Sequence, residues 1–213
     1  MPYNPHIHNR KSIRLKGYDY TQLGYYYVTI CVQNRECLLG SVKDSLVELN
    51  KFGKIVDQKW NNIPKHFSNT TLDEYIIMPN HIHGIIGIFE GAKHFSKTNN
   101  FHLSSEVKVE NQICVKNRYK NVSPLPHPNG TKPGSLSSII QNFSSITTRK
   151  INQIRETNGM KLWQRNYFDR IIRNGDELIR IRKYIRENPL RWEIDEENPE
   201  KNNNYWNTIF SIL

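Results

Sequence analysis

The stretch Met78-Pro79-Asn80-His81-Ile82-His83-Gly84 constrains this chain more than any other. Pro-Asn is a turn signal, and from Gly84 to Phe89 the sequence is apolar or glycine. A strand that begins at His81 turns successive side chains to opposite faces. His81 and His83 then share one face, and Ile82, Gly84, Ile86 and Ile88 share the other. Residues two apart on a strand have Cα atoms about 6–7 Å apart. Two imidazoles at that spacing can converge on one metal ion, and the isoleucine face is a core face. The same pattern also fits two polar residues turned to water on a half-buried strand, and the chain has eight histidines in all.

Bulk properties narrow the partner. A chain of 213 residues suits one domain with insertions or tails. Lys and Arg number 30 against 20 Asp and Glu, a net charge of +10. A surplus of that size points to a polyanion, with nucleic acid the first candidate. The three cysteines, Cys31, Cys37 and Cys114, are odd in number, and no pair has the spacing of a zinc knuckle or redox motif. Reduced thiols are therefore expected. The N-terminus is polar and basic, without the apolar core of a signal peptide. No apolar run approaches the roughly 18 residues of a membrane span. The expectation is a cytoplasmic, nucleoid-associated protein with no membrane partner.

Taken in order, residues 1–23 read as a basic arm carrying Arg10, Arg14 and Lys16. Tyr25 to Val32 is dense in aromatic and β-branched residues and predicts a strand. A short strand is expected over 45–49. Asn50 then reads as an N-cap, followed by a helical stripe through Phe52, Ile55, Val56, Trp60 and Ile63, closed by Pro64. Residues 74–78 and 81–89 predict an antiparallel pair. From 90 to 132 the composition turns to Lys, Asn, Ser, Pro and Gly, which reads as an insertion. Leu136, Ile139, Ile140, Phe143, Thr147, Ile151 and Ile154 stripe a second long helix. Residues 162–173 form a basic-aromatic segment. Asn174 and Glu177 have the layout of a capping box for a last helix, which Pro189 ends. Residues 24–192 are thus read as the domain and 193–213 as a tail. Strand, helix, strand, strand, helix, helix is an α+β pattern, with the helices expected on one face of an antiparallel sheet.

On the last helix Tyr184 and Asn188 are four apart and lie one above the other, beside the stripe Leu178, Ile181 and Ile185. Arg180, Arg182, Lys183, Arg186 and Arg191 surround them. A phenol is a weak nucleophile at its free pKa of about 10, so it needs a polarised substrate or a nearby base. A metal ion supplies the first and neutralises charge developing on a phosphate. Asn188 would complete a ligand set with His81 and His83. The alternative is a tyrosine at the edge of the core and an asparagine capping the helix before Pro189.

These segments in this order resemble the single-tyrosine HUH transposases, and within them the REP-associated tyrosine transposases. The likeness is carried by residues 12–20, Val28-Thr29-Ile30-Cys31, residues 78–84, Trp163-Gln164-Arg165-Asn166-Tyr167 and the Tyr184-Ile185-x-x-Asn188-Pro189 motif. It covers most of the chain outside 90–132 and the last twenty residues. The resemblance implies a ferredoxin-like, RRM-like fold, often a homodimer. It implies that Tyr184 attacks a phosphodiester of single-stranded DNA near an imperfect hairpin, giving a 5′-phosphotyrosine and a free 3′-hydroxyl. It implies that His81, His83 and Asn188 hold Mg²⁺ or Mn²⁺. Arg10, Arg14 and Lys16, and Trp163, Gln164, Arg165, Arg170 and Arg173, look like DNA contacts, by phosphate pairing and base stacking. Arg180 and Lys183 on the last helix join them. Tyr167 is the rival nucleophile. The other readings are a hairpin-binding module without catalysis and a hydrolase of small substrates, which the charge disfavours.

Overall fold

The computed structural model describes residues 18–90, 131–195 and 197–199. Arg10, Arg14 and Lys16, residues 91–130 of the expected insertion, and the tail from 200 onward lie outside the described residues.

The main sheet holds four strands: β1 (Gly24–Cys31), β4 (Thr70–Ile77), β5 (His81–Ile88) and β6 (Phe168–Ile172). Their order is β4-β5-β1-β6 and every pairing is antiparallel. The helices α1 (Lys51–Asn61) and α3 (Leu136–Arg155) fall between β1 and β4 and between β5 and β6. A β-α-β-β-α-β chain in that strand order is the ferredoxin-like arrangement. The helix α4 (Gly175–Glu187) follows β6. A hairpin of β2 (Gly40–Lys43) and β3 (Leu46–Leu49) and the short α2 (Ile63–His66) lie outside this frame.

The sheet is buried on both faces, which corrects the expectation of helices on one. On the first face Tyr26, Val28, Ile30, Ile82, Ile86 and Ile88 pack with Val56 and Trp60 of α1 and with Leu136, Ile139, Phe143 and Ile151 of α3. On the second, Tyr27, Ile85 and Ile172 pack with Ile185 of α4, flanked by Leu178 and Ile181. All eight residues of β5 are buried in consequence. The reading of His81 and His83 as water-facing residues on a half-buried strand is thereby removed.

Other departures have local causes. β6 falls inside the basic-aromatic segment, where Asp169 and Arg170 interrupt the apolar pattern that marks a strand. Pro64 opens α2 rather than ending the chain's helical course, since proline is tolerated in a first turn. Past Asn188 the chain tightens into a 3₁₀ helix, Asn188–Ile194, with Pro189 in its first turn. The N-caps are as read: Asn50 accepts from Phe52 and Gly53, and Asn174 from Glu177.

Gly84 shows why this strand tolerates no larger residue at that place. A Cβ there would stand 2.3 Å from Cζ2 of Trp60, whose ring is wholly buried against α3 through Phe143. Replacing Gly84 with Ala is expected to destabilise the chain by about 1–3 kcal/mol, as overpacked cores do. Urea unfolding followed by tryptophan fluorescence checks it, the expected result being a lower midpoint at unchanged slope.

Candidate functional site

The register of the sheet builds the site. Thr29 of β1 lies opposite His83, and Cys31 opposite His81. Tyr27, Thr29, His81, His83 and Ile85 therefore share the face that α4 covers. His81 is fully buried and His83 is 4% exposed. Their rings are 4.5 Å apart between centroids. Tyr184 stands over them from α4, its ring 5.3 Å from that of His83 and 6.3 Å from that of Tyr27. It is 43% exposed, so its hydroxyl is held at the site while solvent and substrate still have access to the side chain.

Two anchors set how α4 presents that tyrosine. At its start, Glu177 accepts from Nε of Arg170 at 2.7 Å and from the backbone N–H of Arg173 at 2.9 Å, tying α4 to β6. Along its length, Arg182 makes a forked pair with Asp73 of β4, Nε to Oδ1 at 2.7 Å. Asp73 reaches α4 because β4 shifts register between Leu72 and Tyr75, and such a bulge re-aims side chains. Ile185, fully buried, contributes about 1.5–3 kcal/mol of apolar burial. The apolar stripe thus holds the helix, and the polar anchors fix its rotation.

The protonation of His81 follows from its neighbour. The Asn80 amide nitrogen donates to the carbonyls of Arg35 and Glu197, which orients the amide and leaves its Oδ1 as acceptor. That oxygen lies 2.8 Å from Nδ1 of His81, so Nδ1 carries the proton and Nε2 is a bare lone pair. Nε2 is buried and has no hydrogen-bond partner, and so is Oδ1 of Asn188, a residue 2% exposed. Burial lowers the pKa of His81 to about 4, although Asp195 and Asn188 favour the charged form. Burial, with His81 adjacent, holds His83 well below its ordinary value. Both imidazoles are therefore neutral near pH 7. Two acceptor atoms thus sit in a dry pocket with no proton between them, an arrangement that a cation satisfies. Among the described residues no group of three or more His, Cys, Asp or Glu is placed to hold a metal, so an amide oxygen would have to complete the set.

Tyr184 is less acidic than a free phenol. Burial is the main cause and the Asp195 carboxylate adds to it, while hydrogen bonds from Asn188 and Tyr27 and the charge of Arg191 act the other way. Asp195 and Glu197 belong to the segment after the 3₁₀ helix, which folds back over the site. Glu197 pairs with Arg35 at 3.0 Å and lies 3.7 Å from the Cys31 thiol, whose pKa burial pushes up to about 12. Trp192 tilts over His81 at 6.2 Å.

A cleft of about 1740 Å³ opens from this point. Tyr27, His83, Tyr184 and Asn188 line one end, and it passes Gln164, Arg165 and Arg170 to the outer side of α3. Of the expected contacts, Arg165 is exposed in the cleft and Gln164 is half-buried there, its backbone N–H given to Cys31. Arg170 lines it while paired with Glu177. Trp163 also lines the cleft but is 6% exposed, tilted toward Phe143, and its indole N–H donates to Thr147. Arg173, Arg180 and Lys183 are exposed but lie off the cleft lining, and Lys183 is 3.7 Å from Glu187. Arg149 and Lys161 line the cleft without having been expected there, and Arg191, one of the cations read around Tyr184 and Asn188, lines it too. Tyr167 lines the cleft while packing partly against the first core, and Tyr184 is the tyrosine beside the histidines.

No family model matches the chain. An uncharacterized protein of Haemophilus influenzae is 39% identical over 197 residues, 91% of this chain and 96% of its own length. The chain belongs to that protein's family. Among solved structures, one described as the REP-associated tyrosine transposase bound to a REP hairpin superposes with a TM-score of 0.50. The match covers 84% of this chain and 73% of that one at 14% identity, a likeness of fold. A Deinococcus radiodurans protein described as a candidate transposase has a TM-score of 0.39 over 83% of this chain and 96% of its own, at 13% identity. Among the described residues no helix is long and apolar enough to cross a membrane.

The anchor at Asp73 has a pH signature. Burial alone would raise its pKa, but the hydrogen bonds from Arg182 and from the Glu74 amide outweigh burial and hold it below 3.8. A depressed carboxylate stabilises the fold above its unfolded pKa of about 4 and loses that contribution as pH falls through the lower folded value. The stability gap between wild type and Asp73→Asn is expected to be constant from pH 5 to neutrality and to close below about pH 4. Urea titrations of both proteins across that range measure it.

Proposed function

We propose that this protein is a metal-dependent tyrosine transposase or nuclease that cleaves and rejoins single-stranded DNA near imperfect hairpins. The observation that carries the reading is the meeting of Tyr184 with the buried, unpartnered Nε2 of His81 and Oδ1 of Asn188 at one end of a cationic cleft. The fold shared with a transposase bound to a REP hairpin supports it, as does the +10 charge.

In this reading His81, His83 and Asn188 hold a divalent ion, Mg²⁺ or Mn²⁺. When bound, that ion polarises the scissile phosphate and offsets charge on its oxygens. The residues of the chain do the rest. Tyr184 is presented edge-on to the histidines by α4, and its oxygen attacks phosphorus. The bond from phosphorus to the 3′-oxygen breaks; the phenol gives its proton to solvent in the cleft and the departing 3′-oxygen takes one up, leaving a 3′-hydroxyl and a 5′-phosphotyrosine. Attack by a 3′-hydroxyl on that ester reverses the step, so rejoining needs no outside energy. Asn188 and Tyr27 stabilise the phenolate by hydrogen bonding, and Arg191 by charge. Arg149, Lys161 and Arg165 pair with phosphates along the cleft. The partner is single-stranded DNA carrying a hairpin, and a homodimer is the proposed assembly.

The test incubates the full chain with labelled single-stranded hairpin oligonucleotides from its own flanking DNA, with Mg²⁺ or Mn²⁺. A covalent protein–DNA band is expected with the metal and absent with chelator. Tyr184→Phe is expected to abolish the band while hairpin binding stays at the wild-type level. A band that persists in Tyr184→Phe moves the nucleophile elsewhere, with Tyr167 the first to examine. Tight hairpin binding with no band under either metal makes the protein a binding module.

A further inference from the structure

His81 has its proton fixed by an amide, but among the described residues no side-chain amide is hydrogen-bonded to Nδ1 of His83. Its Nδ1 meets two hydroxyls instead, Tyr27 Oη at 2.7 Å and Thr29 Oγ1 at 2.8 Å. These hydroxyls also bond to each other, Thr29 donating to Tyr27 across 3.1 Å. A hydroxyl has one proton to give. The proton of Thr29 is committed to Tyr27, so the contact between Thr29 and His83 requires the proton to sit on Nδ1. The ring of Tyr184 stands edge-on to that of Tyr27, 6.3 Å between centroids. Tyr27 is 8% exposed, and the hydrogen bonds it makes gain strength from the low local dielectric.

We propose that Thr29 and Tyr27 form a hydrogen-bond chain that begins at His83 Nδ1–H and runs through Thr29 to Tyr27. The chain locks His83 in the tautomer whose Nε2 is a bare lone pair, matching His81, so that both rings offer acceptors to the same pocket. Tyr27 and Thr29 are positioning residues that act through the histidine. The tautomer of His83 does not rest on the proposed function.

The argument also says what breaking the chain does. Without the Tyr27 hydroxyl, Thr29 is released to donate to Nδ1 of His83. Without the Thr29 hydroxyl, nothing requires the proton on Nδ1, and Tyr27, 2.7 Å away, is free to donate there. Either loss lets the ring move its proton to Nε2 and withdraws that nitrogen as a ligand.

The experiment is a long-range ¹H–¹⁵N correlation spectrum of the full chain labelled with ¹⁵N-histidine, at neutral pH without divalent metal, with His83 assigned through a His83→Asn variant. Wild type is expected to show His83 protonated on Nδ1. Tyr27→Phe and Thr29→Val, both close in shape to the native residues, are expected to shift it toward Nε2–H, and Thr29→Ser to restore the wild-type pattern. Mn²⁺ binding, read from the loss of the free-ion EPR signal in the absence of DNA, is expected to weaken about 10–100-fold in the first two variants, the usual effect of losing an outer-shell partner. A wild-type His83 protonated on Nε2 overturns the proposal. So do Tyr27→Phe and Thr29→Val proteins that keep the wild-type tautomer. A wild type that has the Nδ1–H tautomer but binds no Mn²⁺ supports the chain and counts instead against the metal in the proposed function.

Discussion

Two lone pairs without a proton between them organise this site. Nε2 of His81 and Oδ1 of Asn188 are buried and unpartnered. Asn80 keeps the proton of His81 on the far nitrogen. Asn80 is itself oriented by carbonyls from Arg35 and Glu197, residues far apart in sequence. An unsatisfied buried acceptor costs about 1–3 kcal/mol, so two of them side by side are not a feature that packing alone would favour. They make sense as places for a positive charge.

Much of the rest of the fold serves to keep that pocket dry while leaving Tyr184 accessible. The ferredoxin-like order places β5 at the interior of the sheet, between β4 and β1, so the histidines cannot reach water past a strand edge. The second face of the sheet is covered by α4, held by Ile185 and turned by Asp73 and Glu177. Trp192, Asp195 and Glu197 close from the C-terminal side. Tyr184, on the flank of α4 rather than on its apolar stripe, is the side chain that joins the dry pocket to the open cleft.

The sequence made the strands at β1 and β5, the helices α1, α3 and α4, and the pairing of His81 with His83 readable, because each has a strong period or a cap. It was the order of apolar residues on both faces of β5, Ile82 against Ile85, that announced double burial, yet the His-x-His alternation drew attention to one face. β6 was hidden because Asp169 and Arg170 break its apolar pattern and flanking arginines suggested a surface. Trp163 beside Gln164 and Arg165 looked like a stacking platform, and only tertiary packing against Phe143 and Thr147 makes it core. Tyr27 and Thr29 sit inside an aromatic, β-branched run that reads as strand interior, with no local sign that one hydroxyl faces His83 from 56 residues away. Asp195 and Glu197 lay in what read as a polar tail. Contacts of that kind depend on register, which composition and spacing do not carry.

The most direct test of the central claim is to look for the cation itself. Crystals of the full chain grown with Mn²⁺ and examined by anomalous scattering should show one strong peak about 2 Å from Nε2 of His81 and Oδ1 of Asn188, with Nε2 of His83 as third protein ligand. A peak there would make the orphaned lone pairs ligands. The account is contradicted if the peak is absent at saturating Mn²⁺ and the two atoms are bridged by water or bonded to each other instead.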